Sequence, residues 1–211
     1  MRPHIIINVA MSIDGKIALT AGKQTKLSSE EDMVRVHKLR NDVDAILVGI
    51  GTILSDDPKL TVKKQYVDFP KSLTKIVLDS KLRTPENAEV FNYPGKVIIA
   101  TTENSIGNIN AEIIKCGTDE VDIPKLLEIL YERGIKKILV EGGGKVIYSF
   151  LKKDVVDELK IYVAPIIIGG NAPSIVEGKG ADEMGKIIPL KLDCMKKLGD
   201  GILLEYTKRN A

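Results

Sequence analysis

The sequence of 211 residues lacks several features that mark specialised classes of protein. Its two cysteines, Cys116 and Cys194, lie far apart and outside any Cys-x-x-Cys pattern, so we expect neither a disulfide framework nor a cysteine zinc site. His4 and His37 do not have the spacing of a metal-binding pair, and no bound metal is predicted. No apolar run approaches the roughly 18 residues that a membrane span needs, and the run near the amino terminus is too short for a signal-peptide core. These absences predict a cytoplasmic, soluble protein.

An excess of charge of one sign is also absent. Lys and Arg number 31 against 29 for Asp and Glu, which gives a formal net charge of +2. This near-balance does not favour nucleic acid or an anionic membrane as the main partner, although a local basic pocket for a phosphorylated small molecule stays open. Hydrophobic residues make up 44% and charged residues 28%, as in ordinary globular proteins, and the length predicts one domain over residues 1–211.

Short runs rich in Ile and Val predict the strands of a sheet. Several are apolar at consecutive positions, which is typical of strands covered by helices on both faces. The predicted strands are residues 5–10, 45–50, 75–79, 96–100, 112–115, 137–141, 158–164 and 202–207, with 191–198 as a candidate edge strand.

Three helices are predicted between these strands. They are a helix from a capping box of Ser28 and Glu31 to about residue 41, residues 124–133 capped by Asp122, and a helix that begins in the glycine run 142–144. Strands that alternate with helices predict an α/β fold with a mostly parallel central sheet flanked by helices. The last two predicted strands have no long helix between them, which predicts an antiparallel C-terminal edge.

The strongest local signal for chemistry is Glu141 followed by three glycines, directly after an apolar strand. Glycine lets a ligand phosphate approach the backbone, and the next helix offers free N–H groups and the positive end of its dipole. This is the physics of pyrophosphate binding, although the spacing is not the G-x-G-x-x-G fingerprint. A tight turn without a ligand is the alternative at this point.

Further polar residues follow other predicted strands. Thr52 and Asp56 lie one helical turn apart and could face one ligand, although Asp56-Asp57-Pro58 equally fits a turn that ends a helix. Ser80, Lys81 and Arg83 could hold a ribose 2′-phosphate, which would favour NADP over NAD; a solvated basic turn is the alternative. The motifs of α/β-hydrolases and P-loop proteins are absent from the sequence.

Five segments in this order are together far more specific than any one of them. They are Asn8-Val9-Ala10-Met11-Ser12-Ile13-Asp14-Gly15-Lys16, Arg35-x-His37-Lys38-x-Arg40, residues 48–61 with Thr52, Asp56 and Leu60, Asp79-Ser80-Lys81-Leu82-Arg83, and Glu141-Gly142-Gly143-Gly144. Over roughly residues 5–206 the chain resembles the archaeal and fungal family of 2,5-diamino-6-ribosylamino-4(3H)-pyrimidinone 5′-phosphate reductases of riboflavin biosynthesis. It also resembles the reductase half of the bacterial bifunctional riboflavin enzyme.

The resemblance implies an oxidoreductase with a dihydrofolate reductase-like fold that forms a homodimer and uses NADPH or NADH. It implies direct hydride transfer from nicotinamide C4 to C1′ of the ribose, which opens to an imine and gives the ribitylamino 5′-phosphate. The implied cofactor-binding residues are Ala10, Thr52, Asp56, Ser80, Lys81, Leu82, Arg83, Gly142, Gly143, Gly144 and Lys145. The implied substrate-binding residues are Lys16, Arg40, Leu60, Lys63 and Glu141, of which Glu141 and Lys16 are the expected catalytic residues.

Two positions depart from the family pattern, since Lys145 stands where relatives often carry Thr and Lys63 where some carry Arg. For Glu141 three roles are open: to stabilise the protonated imine, to anchor a group of the substrate, or to hold the glycine turn. The apolar stretch 158–168 predicts a homodimer if it forms a bare sheet edge, with burial inside the monomer as the alternative.

Three other functions are alternatives to this one. A dihydrofolate reductase would share the fold, but its pterin has no phosphate, and the basic residues Lys16, Arg40 and Lys63 argue against it. A pyrimidine deaminase is excluded because the sequence lacks the His-x-Glu and Pro-Cys-x-x-Cys zinc signature. A non-catalytic nucleotide-binding module stays open.

Overall fold

The computed structural model describes residues 1–20 and 25–208. Its strands are β1 (His4–Ser12), β2 (Ala45–Gly49), β3 (Thr74–Leu78), β4 (Val97–Thr101), β5 (Glu112–Lys115), β6 (Lys137–Val140), β7 (Glu158–Ala164), β8 (Leu190–Leu198) and β9 (Gly201–Lys208). Its helices are α1 (Glu30–Asn41), α2 (Ile50–Asp56), α3 (Ile123–Glu132) and α4 (Gly144–Lys152). Within the described ranges, no helix has the length and apolar character needed to cross a membrane.

All nine strands form one sheet in the order β5-β4-β3-β2-β6-β1-β7-β9-β8. The strands from β5 to β7 are parallel, and β9 and β8 continue the sheet in antiparallel pairing. This confirms the predicted mostly parallel sheet with its antiparallel C-terminal edge, and it confirms residues 191–198 as the edge strand. Helices α3 and α4 pack on one face of the sheet, whereas α2 and the end of α1 pack on the other.

The cap of α1 differs from the prediction by one residue. Ser29, and not Ser28, is the N-cap, and its hydroxyl accepts a hydrogen bond from the backbone N–H of Asp32 at 3.2 Å. The sequence Ser-Ser-Glu-Glu-Asp contains two overlapping registers for a cap with an acidic residue three positions later. The structure selects the second register, which buries Asp32 completely.

Helix α2 was not predicted. It follows β2 without a loop and ends after seven residues at Asp57, whose φ of 40° lies in the left-handed region. A helix this short shows no clear helical periodicity in the sequence, because two glycines lie near its start and Asp-Asp-Pro marks its end.

Strand β7 is not a sheet edge, so the reason given for a dimer from the stretch 158–168 is wrong. It pairs with β1 on one side and β9 on the other, and most of its apolar side chains are therefore buried inside the monomer. The exposed apolar residues of this stretch, Ile166 and Ile167, follow the strand. The edge beside β9 is β8, where Leu192 and Met195 are exposed.

The two adjacent serines before α1 allow a matched test of the cap. We expect Ser29→Ala to lower the free energy of unfolding by about 1 kcal/mol, because the N–H of Asp32 loses its acceptor. Ser28→Ala should change it by less than about 0.5 kcal/mol, as for a surface substitution without such a contact. Urea unfolding followed by circular dichroism measures both values, and equal losses would contradict the assignment of the cap.

Candidate active site

A cleft of about 1000 Å³ opens at the carboxyl ends of the parallel strands, between α1 and the first turns of α2 and α4. This is where open α/β sheets bind ligands, and the volume lies at the upper end of the range for small-molecule sites. The predicted site residues that line the cleft are Ala10, Arg40, Thr52, Asp56, Lys63, Arg83, Glu141, Gly143, Gly144 and Lys145. Residues predicted for the cofactor and for the substrate thus meet in one cavity.

The other predicted residues do not line this cleft. Leu60 is buried in the apolar core. The ammonium of Lys16 lies 3.2 Å from the hydroxyl of Ser174. Gly142 packs so tightly that an added Cβ would lie 2.9 Å from the hydroxyl oxygen of Thr52. Ser80, Lys81 and Leu82 form the turn that carries Arg83 to the cleft.

That turn is held by Asp79, whose side chain is completely buried at the end of β3. One carboxylate oxygen accepts hydrogen bonds from the N–H of Thr84 at 2.7 Å and from its hydroxyl at 2.8 Å. The other lies 3.7 Å from Nε of Arg83, whose side chain is 54% exposed. Asp79 therefore fixes the backbone of the turn and leaves the guanidinium of Arg83 accessible to a ligand.

The central polar contact of the cleft is an ion pair between Arg40 on α1 and Glu141 at the end of β6. Nε of Arg40 donates to Oε1 of Glu141 at 2.9 Å, and Nη2 donates to Oε2 at 2.7 Å. Burial disfavours the charge of Arg40, but the charge and hydrogen bonds of Glu141 outweigh it and raise the pKa of the guanidinium. Both carboxylate oxygens of Glu141 are thus engaged, and a ligand can use only their remaining lone pairs.

A second arginine of α1 holds Asn8, a residue that the sequence analysis did not assign to the site. Nη2 of Arg35 donates to the amide oxygen of Asn8 at 2.7 Å, and Nε donates to Asp32 at 2.8 Å. Because arginine can only donate, this contact fixes the amide oxygen of Asn8 toward α1. Asn8 is 7% exposed and lines the cleft. The available signal was a polar residue that interrupts the apolar run of β1.

Helix α1 also holds the segment of residues 61–66, which contributes Lys63 and Tyr66 to the cleft. Nη1 of Arg40 donates to the carbonyl of Thr61 at 2.9 Å, and the backbone N–H of Lys63 donates to Nδ1 of His37 at 3.2 Å. The rings of His37 and Tyr66 stack with centroids 4.7 Å apart. Burial, followed by the positive charges of Arg40 and Lys63, lowers the pKa of His37 to about 4, so the imidazole is neutral near pH 7.

The glycine run at the start of α4 is required by the protein's own packing. Gly143 has a φ of 63°, which disfavours other residues. A Cβ at Gly144 would lie 2.4 Å from the carbonyl oxygen of Ser174. The segment 173–177 is therefore seated against α4, and its Pro173 and Glu177 form part of the cleft wall.

Asp14 fixes the beginning of the segment that leads to this wall. Its carboxylate accepts hydrogen bonds from the hydroxyl of Ser12 and from the N–H groups of Ile168 and Gly169, at 2.7 to 3.1 Å. The bond from Ser12, followed by those from the backbone, lowers the pKa of Asp14 to about 2. The turn at Asp14 thus also anchors a distant loop. In the part of the chain that the structure describes, no three His, Cys, Asp or Glu side chains are grouped to hold a metal ion.

Comparison with known proteins gives relatives that match from end to end. The 2,5-diamino-6-ribosylamino-4(3H)-pyrimidinone 5′-phosphate reductase of Methanothermobacter thermautotrophicus is 41% identical over 214 residues, which cover 98% of this chain and 99% of that protein. The reductase of the same name from Archaeoglobus fulgidus is 35% identical, over 95% and 96% of the two chains.

Solved structures show the same fold. The Saccharomyces cerevisiae riboflavin biosynthesis reductase superposes with a TM-score of 0.77 at 25% identity, over 99% of this chain and 90% of that one. The bifunctional deaminase and reductase of Thermotoga maritima superposes with a TM-score of 0.83 at 27% identity over 99% of this chain. This chain spans only 57% of the Thermotoga protein. The predicted dihydrofolate reductase-like fold is confirmed by these neighbours.

The family model described as the RibD C-terminal domain matches residues 3–204, almost the whole length of the chain. Its match agrees with the relatives, with the superposed structures and with the five sequence segments that carry the resemblance. This protein belongs to the RibD C-terminal domain family.

Proposed function

We propose that this protein is an NADPH-dependent reductase that converts 2,5-diamino-6-ribosylamino-4(3H)-pyrimidinone 5′-phosphate into the ribitylamino 5′-phosphate. One observation carries the proposal: residues expected for the cofactor and for the substrate line one cleft, in a chain 41% identical from end to end to a reductase of that name. Direct hydride transfer to C1′ is part of the proposal.

One group of cleft residues fits a nicotinamide dinucleotide. Arg83 and Lys145 are exposed cations of this group, and the N–H groups of the first turn of α4 are free of helical partners. Thr52 adds a hydroxyl. A Cβ added at Gly51 would meet nothing within 4 Å, so the backbone there is open to a ligand. When bound, the dinucleotide supplies the hydride.

A second group of cleft residues, held against α1, fits the phosphorylated pyrimidine. Lys63 is an exposed cation of this group, and Tyr66 adds an aromatic surface. Asn8 directs its amide NH₂ away from Arg35, so it is a donor for an acceptor atom of the substrate. Arg40 is neutralised by Glu141 and contributes orientation more than net charge.

In the proposed mechanism, Glu141 assists the reduction without giving or taking a hydride. Addition of hydride to the C1′ imine is easier when its nitrogen is protonated, and a nearby carboxylate stabilises that positive charge. The bidentate contact with Arg40 fixes the orientation of the carboxylate before substrate binds, so little reorganisation accompanies the reaction. The side chains of Glu141 and Arg40 are only 9% and 19% exposed, so most water is excluded from this ion pair.

We also propose a homodimer that forms through the edge carrying β8. Leu192 and Met195 on the edge strand β8 are 49% and 67% exposed, and Ile202 on the neighbouring β9 is 43% exposed. Apolar side chains at a free sheet edge favour pairing with another chain. A second copy of the chain would bury them.

The proposed function is tested by turnover. The purified protein should oxidise NADPH in the presence of the pyrimidinone phosphate and yield the ribitylamino product, measured by absorbance at the NADPH band and by mass spectrometry. Dihydrofolate, which has no phosphate, should give no turnover. Binding of NADPH without oxidation under any of these conditions would favour a nucleotide-binding module instead.

Arg83 should decide the preference for NADPH. Charge-assisted hydrogen bonds contribute about 1.5–3 kcal/mol, so Arg83→Ala should raise the Kd of NADPH about tenfold or more and leave the Kd of NADH nearly unchanged. Lys81→Ala removes a neighbouring cation that does not line the cleft and should change either Kd by less than about twofold. Fluorescence titration measures all four constants. Equal losses for the two cofactors in Arg83→Ala would overturn the assignment.

Glu141→Gln should lower kcat by about tenfold or more, the low end of the contribution of positioned acid–base groups. The substitution keeps the shape of the side chain but removes the negative charge beside the imine. The Kd of NADPH and the thermal unfolding temperature serve as controls for cofactor binding and folding. A variant that folds, binds NADPH and turns over at the wild-type kcat would leave Glu141 without a catalytic role.

The dimer depends on the exposed apolar residues of β8. We expect sedimentation to show twice the 23.1 kDa chain mass at micromolar concentration, and Met195→Glu to shift the equilibrium toward the monomer. Ile106→Glu changes an exposed apolar residue in the loop between β4 and β5, at the opposite end of the sheet from β8; it is the control and should stay dimeric. A wild-type protein that sediments only as a monomer would exclude the proposed interface.

A further inference from the structure

The contact between α1 and the segment 61–66 has two anchor points. The first is the bond from Arg40 to the carbonyl of Thr61, and the second is the bond from the N–H of Lys63 to His37. Both anchors are backbone contacts of the segment. They therefore fix where the chain runs, whatever side chains it carries, and they leave the side chain of Lys63 free to face the cleft.

The imidazole ring of His37, which contacts this segment, is fully buried. A backbone N–H can only donate, so Nδ1 of His37 accepts and the neutral ring carries its proton on Nε2. Nε2 is buried and has no hydrogen-bond partner among residues 1–20 and 25–208. A buried unpaired donor costs free energy, and phenylalanine or leucine would avoid this cost. A histidine at this position thus points to a requirement for its acceptor atom.

The hydrogen bond to His37 positions Lys63, a cation of the cleft. Of the three basic residues expected at the substrate, Arg40 is paired with Glu141 and Lys16 lies against Ser174 outside the cleft lining. Lys63 lines the cleft and forms no ion pair with any carboxylate of the described chain. Its charge is therefore available to a phosphate group.

We propose that His37 is a positioning residue for the phosphate end of the substrate: it holds the backbone of Lys63 through Nδ1 and supports Tyr66 by stacking. The inference deepens the proposed function and rests on it. His37 does not touch the substrate. It acts by reducing the freedom of the segment 61–66, so that Lys63 and Tyr66 bind the phosphorylated ribose without first having to be ordered.

The charges around His37 keep this acceptor available. Burial opposes protonation of the ring, and the positive charges of Arg40 and Lys63 add to this effect. The phenol of Tyr66 is the other titratable group packed against it. A protonated imidazole could not accept from Lys63, so the contact persists in the pH range where the ring stays neutral.

Two variants separate the hydrogen bond from the stacking. His37→Phe keeps an aromatic ring against Tyr66 but has no acceptor, and we expect it to raise the KM of the 5′-phosphorylated substrate about five- to tenfold with kcat within about twofold of wild type. His37→Gln offers an amide oxygen to the N–H of Lys63 and should restore KM to within about threefold. Lys38→Ala, at the exposed neighbouring position on α1, is the control and should match wild type.

The dephosphorylated nucleoside distinguishes positioning from a general loss of structure. If His37 acts through Lys63, its variants leave the KM of the nucleoside unchanged. Lys63→Ala should also leave that KM unchanged, and this single substitution should abolish the preference for the phosphorylated substrate. Equal increases of KM for both substrates in His37→Phe and His37→Gln would overturn the proposal. Thermal unfolding of each variant reports stability separately.

Binding of ribose 5-phosphate, measured by calorimetry with ribose as the control, makes the test independent of reduction. Weaker binding of ribose 5-phosphate by His37→Phe supports the positioning role even if the wild-type protein does not turn over the pyrimidinone, in which case only the proposed function fails. Unchanged binding in His37→Phe contradicts the positioning role even if the wild-type protein is an active reductase. Should His37→Phe fail to fold, His37→Leu, which also lacks an acceptor for the N–H of Lys63, replaces it in the same titration, and unchanged binding of ribose 5-phosphate by His37→Leu contradicts the positioning role.

Discussion

The ion pair between Arg40 and Glu141 is the contact on which the geometry of the cleft depends. It joins α1 to the end of β6, and the same guanidinium binds the carbonyl of Thr61. Both side chains are mostly buried, and removal of either partner would leave a charge without compensation. The pair therefore holds three separate parts of the chain at one point, above the strand ends where a ligand would bind.

Helix α1 differs from the helices on the other face of the sheet in how it is held. Helices α3 and α4 pack through fully buried apolar residues such as Leu126, Leu127 and Phe150. Helix α1 buries Asp32 and His37, and its arginines reach Asn8 and Glu141 on the sheet. Directional contacts of this kind cost more to arrange than apolar packing, but they fix the positions of individual polar atoms. That precision is what a binding cleft requires of its wall.

Much of the fold could be predicted because its signals are local. Runs such as Ile46-Leu47-Val48 are apolar at successive positions, which is typical of a strand buried on both faces, and the predicted strands match the observed ones to within two residues at each end. Where two local solutions were equally good, as at Ser28 and Ser29, the sequence could not choose. The role of 158–168 also required the sheet order, since an apolar strand has the same sequence in the interior as at an edge.

For the site, the sequence by itself determined which strand ends carry polar and glycine residues, and hence that Thr52, Arg83, Glu141 and the glycines meet at one edge of the sheet. Only the tertiary structure decided how these groups are used. It paired Arg40 with Glu141, turned Lys16 toward Ser174, brought Asn8 into the cleft, and set His37 behind the backbone of Lys63. The physical reason is that a hydrogen bond depends on angstrom-scale distances between residues far apart in the chain, whereas hydrophobic periodicity needs only a residue's neighbours in sequence.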